Sequence, residues 1–127
     1  MPVALAEQGA DVRLLLPGLP AVMDAVQGAR TVIDIGANIG NHTVYFEKVL
    51  KASSVVVIEL QPRVIDILKL NITLNGLRNV DHSFLGVGLG ASEHNANMTI
   101  PQAFNVAGAQ FAADASGGFR IVTGDKL

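Results

Sequence analysis

Cysteine is absent from the 127 residues, and charged side chains make up only 16% of them. The first absence excludes disulfides, thiol nucleophiles and most structural zinc sites together. The few charges are balanced, nine basic against eleven acidic for a net −2, with no basic cluster. Such a surface offers no electrostatic footprint for a phosphate backbone, so no nucleic-acid partner is expected. No segment approaches the roughly 20 uninterrupted apolar residues of a membrane span, and the N-terminus lacks the basic region and long apolar stretch of a signal peptide. No membrane partner and a cytoplasmic location are therefore expected.

Two further chemistries lack their residues. His42, His82 and His94 have neither an i,i+4 partner nor an H-x-E spacing, so no metal site is expected. Ser53, Ser54, Ser83, Ser92 and Ser116 stand outside any G-x-S-x-G elbow, which leaves hydrolase chemistry unsupported. The sequons at Asn71 and Asn97 read as ordinary polar positions without a secretory signal.

What the chain does have is apolar content: half its residues are hydrophobic and the mean hydropathy is +0.41. That is high for a small monomer with a mostly polar surface, and pairing with another copy, as a homodimer or higher oligomer, is expected. The length suits one domain with a sizeable core.

The pattern along the chain alternates as a parallel sheet requires. Residues 2 to 9 favour a helix, 12 to 16 a strand, and 20 to 27 a short helix with proline at its start and glycine beyond its end. Strands follow at 31 to 35 and 54 to 59, helices at 41 to 51 and 62 to 75, and a strand at 80 to 85. In the first of these helices Tyr45 and Val49, with Phe46 and Leu50, form i,i+4 pairs on the expected buried side. In the second, apolar residues spread around more than one face, so cover on more than one side is expected. After residue 85, GVGLGAS imitates a nucleotide loop but leads into the polar run Glu93 to Asn97, so it reads as a turn between short strands. Short strands are expected at 98 to 100 and 119 to 122, with a loop or loose helix over 107 to 118.

The residues that carry chemistry lie at 32 to 43, Val-Ile-Asp-Ile-Gly-Ala-Asn-Ile-Gly-Asn-His-Thr. An apolar run suited to a buried parallel strand breaks into a loop whose glycines let the backbone turn and approach a ligand, and a helix opens from it. Glu59 ends the next apolar strand, at the spacing where an acid meets the two ribose hydroxyls in a nucleotide-binding βαβ unit. His42 and Thr43 fall in the first turn of the helix, where free N–H groups favour an anion, although His42 also reads simply as a solvated residue.

Residues 31 to about 100 resemble the cofactor-binding half of FkbM-type S-adenosylmethionine-dependent methyltransferases, on the segments VIDIGANIGNHTVYF, VVVIELQPRVIDILKLNITLNGLRNV and, more weakly, LGVGLGASEHNANMTI. The resemblance implies a truncated Rossmann-like α/β fold, a three-layer sandwich around a mostly parallel sheet. It implies S-adenosylmethionine as cofactor, with Asp34, Gly36, Asn38 and Gly40 around its methionine part and Glu59 on its ribose. Asp81 and His82, the titratable pair nearest the expected site, are candidates for an adenine-side contact or a catalytic base. The family's later strands have no counterpart here, so weak or absent methyl transfer is expected.

Residues 2 to about 27, with ALAEQGADVRLLLPGLPAV as their core, resemble a fragment of the N-terminal lobe of bacterial glycogen synthases. The chain is accordingly expected to be composite: residues 1–30 a helix-strand-helix segment packed on the main domain, and 31–127 the truncated cofactor-binding domain. Two other functions stay open. A small NAD-type oxidoreductase would use the same loop and Glu59 but lacks the third glycine of its motif. A non-catalytic folded fragment would be held together by oligomerisation.

Overall fold

A computed structural model describes residues 30–100 and 109–127. The expected N-terminal elements, the glycogen-synthase-like segment and the composite junction lie outside the described residues, apart from Arg30. Five strand–helix elements come first: β1 (Thr31–Ile35), α1 (Asn41–Lys48), β2 (Ser54–Glu59), α2 (Pro62–Leu74) and β3 (Val80–Leu85). Four short strands follow: β4 (Val87–Leu89), β5 (His94–Thr99), β6 (Gln110–Ala113) and β7 (Phe119–Val122), with a 3-10 turn at Gly124–Lys126.

The strands β1, β2 and β3 form a parallel sheet in that order. Ile35 lies opposite Ile58 and Glu59 opposite Leu85, so the carboxyl ends of all three strands lie side by side. Both crossovers run in the same direction, and right-handed connections therefore place α1 and α2 on one face. That face holds the main core: Val32, Phe46, Leu50, Val55, Val57, Leu68 and Ile72. Leu68, Val55 and Val57 are fully enclosed there, each worth about 1.5–3 kcal/mol of burial. This is a mixed α/β fold consistent with a truncated Rossmann-like methyltransferase.

Strands β1, β2 and β7 fall where the apolar runs predict them, because β-branched residues on a half- or fully buried pleat carry a strong local signal, and β3 spans the expected 80 to 85 although its middle is polar and exposed. Helix α1 is shorter than expected. It closes at Lys48 with Val49 as its C-cap, and the chain then unwinds through Leu50 N–H to the Tyr45 carbonyl and a left-handed Lys51 at φ 57°. Phe46 and Leu50 are buried as expected, but Val49 is 56% exposed. Helix α2 ends on the Asn75 cap with Gly76 at φ 57°. Its outer side is not covered among the described residues: Ile67, Leu70 and Leu74, one stripe at i, i+3 and i+7, are 46%, 55% and 73% exposed.

The second sheet, ordered β4-β7-β5-β6, corrects two expectations. Residues 93 to 97 belong largely to β5, and residues 110 to 113 form β6 rather than loop. Both are antiparallel strands whose signal is cross-strand rather than local: Ala96 is enclosed against β7, and Phe111 meets Phe119 edge-on at 5.5 Å. GVGLGAS is, as expected, no nucleotide loop, and its middle is the strand β4, which continues from β3 past a left-handed Gly86. Leu60, Ala96 and Ile121 form a small core of their own beside the first sheet. Among the described residues no helix is long and apolar enough to cross a membrane.

Candidate functional site

Three residues in five take left-handed backbone conformations as the chain leaves β1: Gly36 at φ 71°, Asn38 at 51° and Gly40 at 91°. A non-glycine residue pays about 1–2 kcal/mol for that conformation, least for asparagine, which accounts for the residue type at 38. The loop is tied to the end of β2. The N–H groups of Gly36 and Ala37 both donate to the Ile58 carbonyl, at 2.9 and 3.1 Å, and Gly40 N–H closes the turn on the Ala37 carbonyl at 2.9 Å.

Gly40 has a second role. A Cβ there would lie 2.6 Å from Leu68 Cδ1, so the missing side chain is what allows α2 to pack against the start of α1.

Glu59 lies at the loop's floor, buried, with its carboxylate filled by backbone donors. Oε1 accepts from Leu60 N–H at 2.8 Å and Gln61 N–H at 2.9 Å, and Oε2 accepts from Asn38 N–H at 3.0 Å. Of about four acceptor positions on an ionised carboxylate, three are in use. The Asn38 bond joins the loop to Glu59 across 21 residues, so five sequence-predicted residues, Asp34, Gly36, Asn38, Gly40 and Glu59, converge at the carboxyl ends of β1 and β2.

Asp34 turns to the helix face of β1. Its Oδ2 accepts the Thr43 hydroxyl at 2.6 Å, and Thr43 is fully enclosed in the first turn of α1. Burial pushes the Asp34 carboxyl above its ordinary value; the Thr43 bond and the His42 ring oppose this, and the Glu59 charge adds to it. Helix α1 has no side-chain cap, and the Asp34 carboxylate reaches its first turn through the Thr43 hydroxyl. His42 is exposed on the same turn, its ring 6.2 Å from that of Phe46.

Asp81 and His82 lie elsewhere. Asp81 pairs with Val56, three residues before Glu59 on β2, which puts it about 10 Å down the strand from the carboxyl ends. Both are exposed, and the Asp81 carboxylate accepts the Ser83 hydroxyl at 2.5 Å and the Ser83 N–H at 2.8 Å, bonds that hold its carboxyl below the ordinary value. The structure does not bring this pair to the loop.

Two supporting side chains were not expected at the site: Glu47 was not singled out from the sequence, and Asn71 was read as an ordinary polar position. Glu47 of α1 is buried and accepts Arg78 N–H at 2.9 Å and Asn79 N–H at 3.0 Å, which fastens the α2–β3 turn to α1. Asn71 of α2 donates to the Ile39 carbonyl in the loop at 2.6 Å. The signal for each is a polar residue facing inward on a helix, and one sequence does not say which polar residues face inward. A separate groove of about 560 Å³ runs along the second sheet between Glu93, His94, Asp114 and Arg120, and none of its lining residues belongs to the loop or to Glu59.

A strand, a left-handed glycine loop, an uncapped helix and an acid closing the neighbouring strand make up one βαβ unit of a Rossmann-like methyltransferase fold. The chain belongs to the TRM5/TYW2 methyltransferase domain family, whose model matches residues 20–95, more than half its length and the whole of the site just described. Methyltransferases of that family generally depend on S-adenosylmethionine, the level at which the match agrees with the resemblance read from the sequence. No curated protein and no solved structure matches the chain.

Proposed function

We propose that residues 31 to about 100 form an S-adenosylmethionine site in which Asp34, Gly36, Asn38 and Gly40 receive the methionine part and Glu59 receives the ribose. The observation that carries this reading is the Asp34 carboxylate held by Thr43 in the first turn of α1. A dinucleotide would place its anionic pyrophosphate at that turn, against a buried carboxylate with Glu59 close by, and like charges there disfavour it. An ammonium and a sulfonium meet the opposite situation: the two buried acidic side chains attract cationic groups. The NAD reading is weaker on this ground.

Glu59 adds specificity for a ribose. A diol donates two hydrogen bonds, and the carboxylate has about one acceptor position unused, so the ribose takes that position and displaces a backbone donor. Asn38 N–H is the donor we assign to that exchange, because it comes from the loop 21 residues away rather than from the chain directly after Glu59. The bound cofactor would supply an activated methyl group on sulfur; the described residues bind and orient it.

Weak or absent methyl transfer by this chain is part of the proposal. Its support is the placement of Asp81 and His82 away from the loop, which leaves the acceptor without the base that the sequence suggested. The FkbM-type likeness, over residues 31 to about 100, names no acceptor. A cytoplasmic homodimer or higher oligomer without a nucleic-acid partner completes the reading. The exposed stripe of Ile67, Leu70 and Leu74 supports the oligomer.

The test is equilibrium binding of S-adenosylmethionine to the wild-type chain and to Glu59→Ala and Glu59→Gln. Loss of a charge-assisted bond to the ribose weakens binding by at least about tenfold in both variants. Equal affinity in folded variants would remove Glu59 from the site.

A further inference from the structure

Three successive peptides of the loop are held from the β1–β2 side. The N–H groups of Gly36 and Ala37 reach the Ile58 carbonyl, and Asn38 N–H reaches Glu59. The unit joining Ile39 to Gly40 is held at both ends by different partners. Its N–H donates to the Ala37 carbonyl at 2.9 Å, and its carbonyl accepts from Asn71 Nδ2 at 2.6 Å, 32 residues further on. Because a carbonyl only accepts, the amide nitrogen of Asn71 must be the atom that faces it.

This peptide leads into Gly40, the N-cap residue of α1, and its plane constrains the direction in which the uncapped first turn of the helix points. It also joins a half-buried Ile39 to Gly40, the left-handed residue pressed against Leu68. Asn71 and Leu68 lie three apart on α2, so one stretch of that helix touches the loop twice, once by a polar bond and once by packing. Without the bond, the Ile39 carbonyl is left part-buried and unpaired, and rotating the peptide to find water would break the Gly40 bond and swing the first-turn N–H groups.

We propose that Asn71 is a positioning residue for the cofactor loop: its side chain fixes the Ile39–Gly40 peptide and thereby the geometry in which the loop meets the methionine part of the ligand. The proposal rests on the S-adenosylmethionine reading above. Asn71 touches no ligand atom in this scheme and takes no part in chemistry.

The experiment compares S-adenosylmethionine affinity in Asn71→Asp, Asn71→Ala and Asn75→Ala, each in the full chain and each after cooperative unfolding has been verified. Asn71→Asp keeps the shape of the side chain but loses its donors when ionised, and sets a carboxylate against the Ile39 carbonyl. Both Asn71 variants are expected to bind about five- to tenfold more weakly. Asn75→Ala removes a side-chain bond to the Asn71 backbone carbonyl at the end of the same helix and is expected to bind as the wild type does, which separates loop positioning from general loosening of α2. Hydrogen exchange at the Gly40 amide in the ligand-free protein supplies a second readout, expected to be faster in Asn71→Ala and unchanged in Asn75→Ala. Wild-type affinity in both Asn71 variants, or an equal loss in Asn75→Ala, would overturn the proposal. A wild-type chain that binds no S-adenosylmethionine would instead overturn the cofactor reading, and unaltered Gly40 exchange would then overturn the positioning role as well.

Discussion

Replacing Gly40 by alanine tests the contact that positions the loop against its supporting helix. Two costs arise. The residue sits at φ 91°, where an L side chain is strained by about 1–2 kcal/mol. The new methyl carbon would also stand 2.6 Å from Leu68 Cδ1. Leu68 is a flexible side chain but fully enclosed, so it yields only by displacing its own neighbours, an overpacking cost of about 1–3 kcal/mol. The expected loss is about 2–5 kcal/mol, a large share of the 5–15 kcal/mol typical of a domain. Gly36→Ala is the control, because it has φ 71° but no atom within 4 Å of the added carbon, so it bears the backbone cost alone. Urea denaturation followed by circular dichroism measures both, and Leu68→Ala in the Gly40→Ala background should recover the steric part as a coupling energy. Equal losses for Gly36→Ala and Gly40→Ala, with no coupling to Leu68, would refute the packing argument.

Asp34→Asn removes a desolvated charge while keeping an acceptor for Thr43, so it is expected to raise the thermal midpoint at pH 7. In the wild type the folded-state pKa is raised, so the penalty of ionising Asp34 is absent below the ordinary value of 3.8 and grows as pH rises through the folded-state value; the advantage of the variant should therefore vanish in acid. A midpoint at pH 7 below that of the wild type would mean that the ionised carboxylate stabilises the fold. Sedimentation equilibrium at micromolar concentration is expected to give a dimer or larger species, and Leu70→Glu with Leu74→Glu should shift it towards monomer; a wild-type monomer would contradict the oligomer.

How much of this was legible in the sequence divides along the two sheets. The first sheet announces itself locally, since Val55 to Ile58 can only be a buried strand and Pro62 and Gly76 bracket a helix. The residues of the loop and Glu59 were readable for the same reason: left-handed turns demand glycine or asparagine, and their spacing is fixed by the geometry of one βαβ unit. The second sheet was harder, because β5 and β6 exist through their partners. Ala96 has too little side chain to mark a face until β7 is placed beside it, and Ala112 until β5 is. Glu47 and Asn71 were hidden differently. Each looks like a solvated helix residue until the packing of α1 against α2 turns it towards backbone groups some thirty positions away. Asp81 shows the reverse error: it lies near the start of β3, and the register sets it opposite Val56, three steps before Glu59.

The most direct measurement of the central claim is calorimetric titration of the wild-type chain with S-adenosylmethionine, S-adenosylhomocysteine and NAD. The expected result is saturable binding of the first two and none of the third, since the Asp34 carboxylate at the first turn of α1 favours a cationic amino acid end and opposes a pyrophosphate. Binding of NAD in preference to both, or no heat with any of the three from a chain that unfolds cooperatively, would contradict the account.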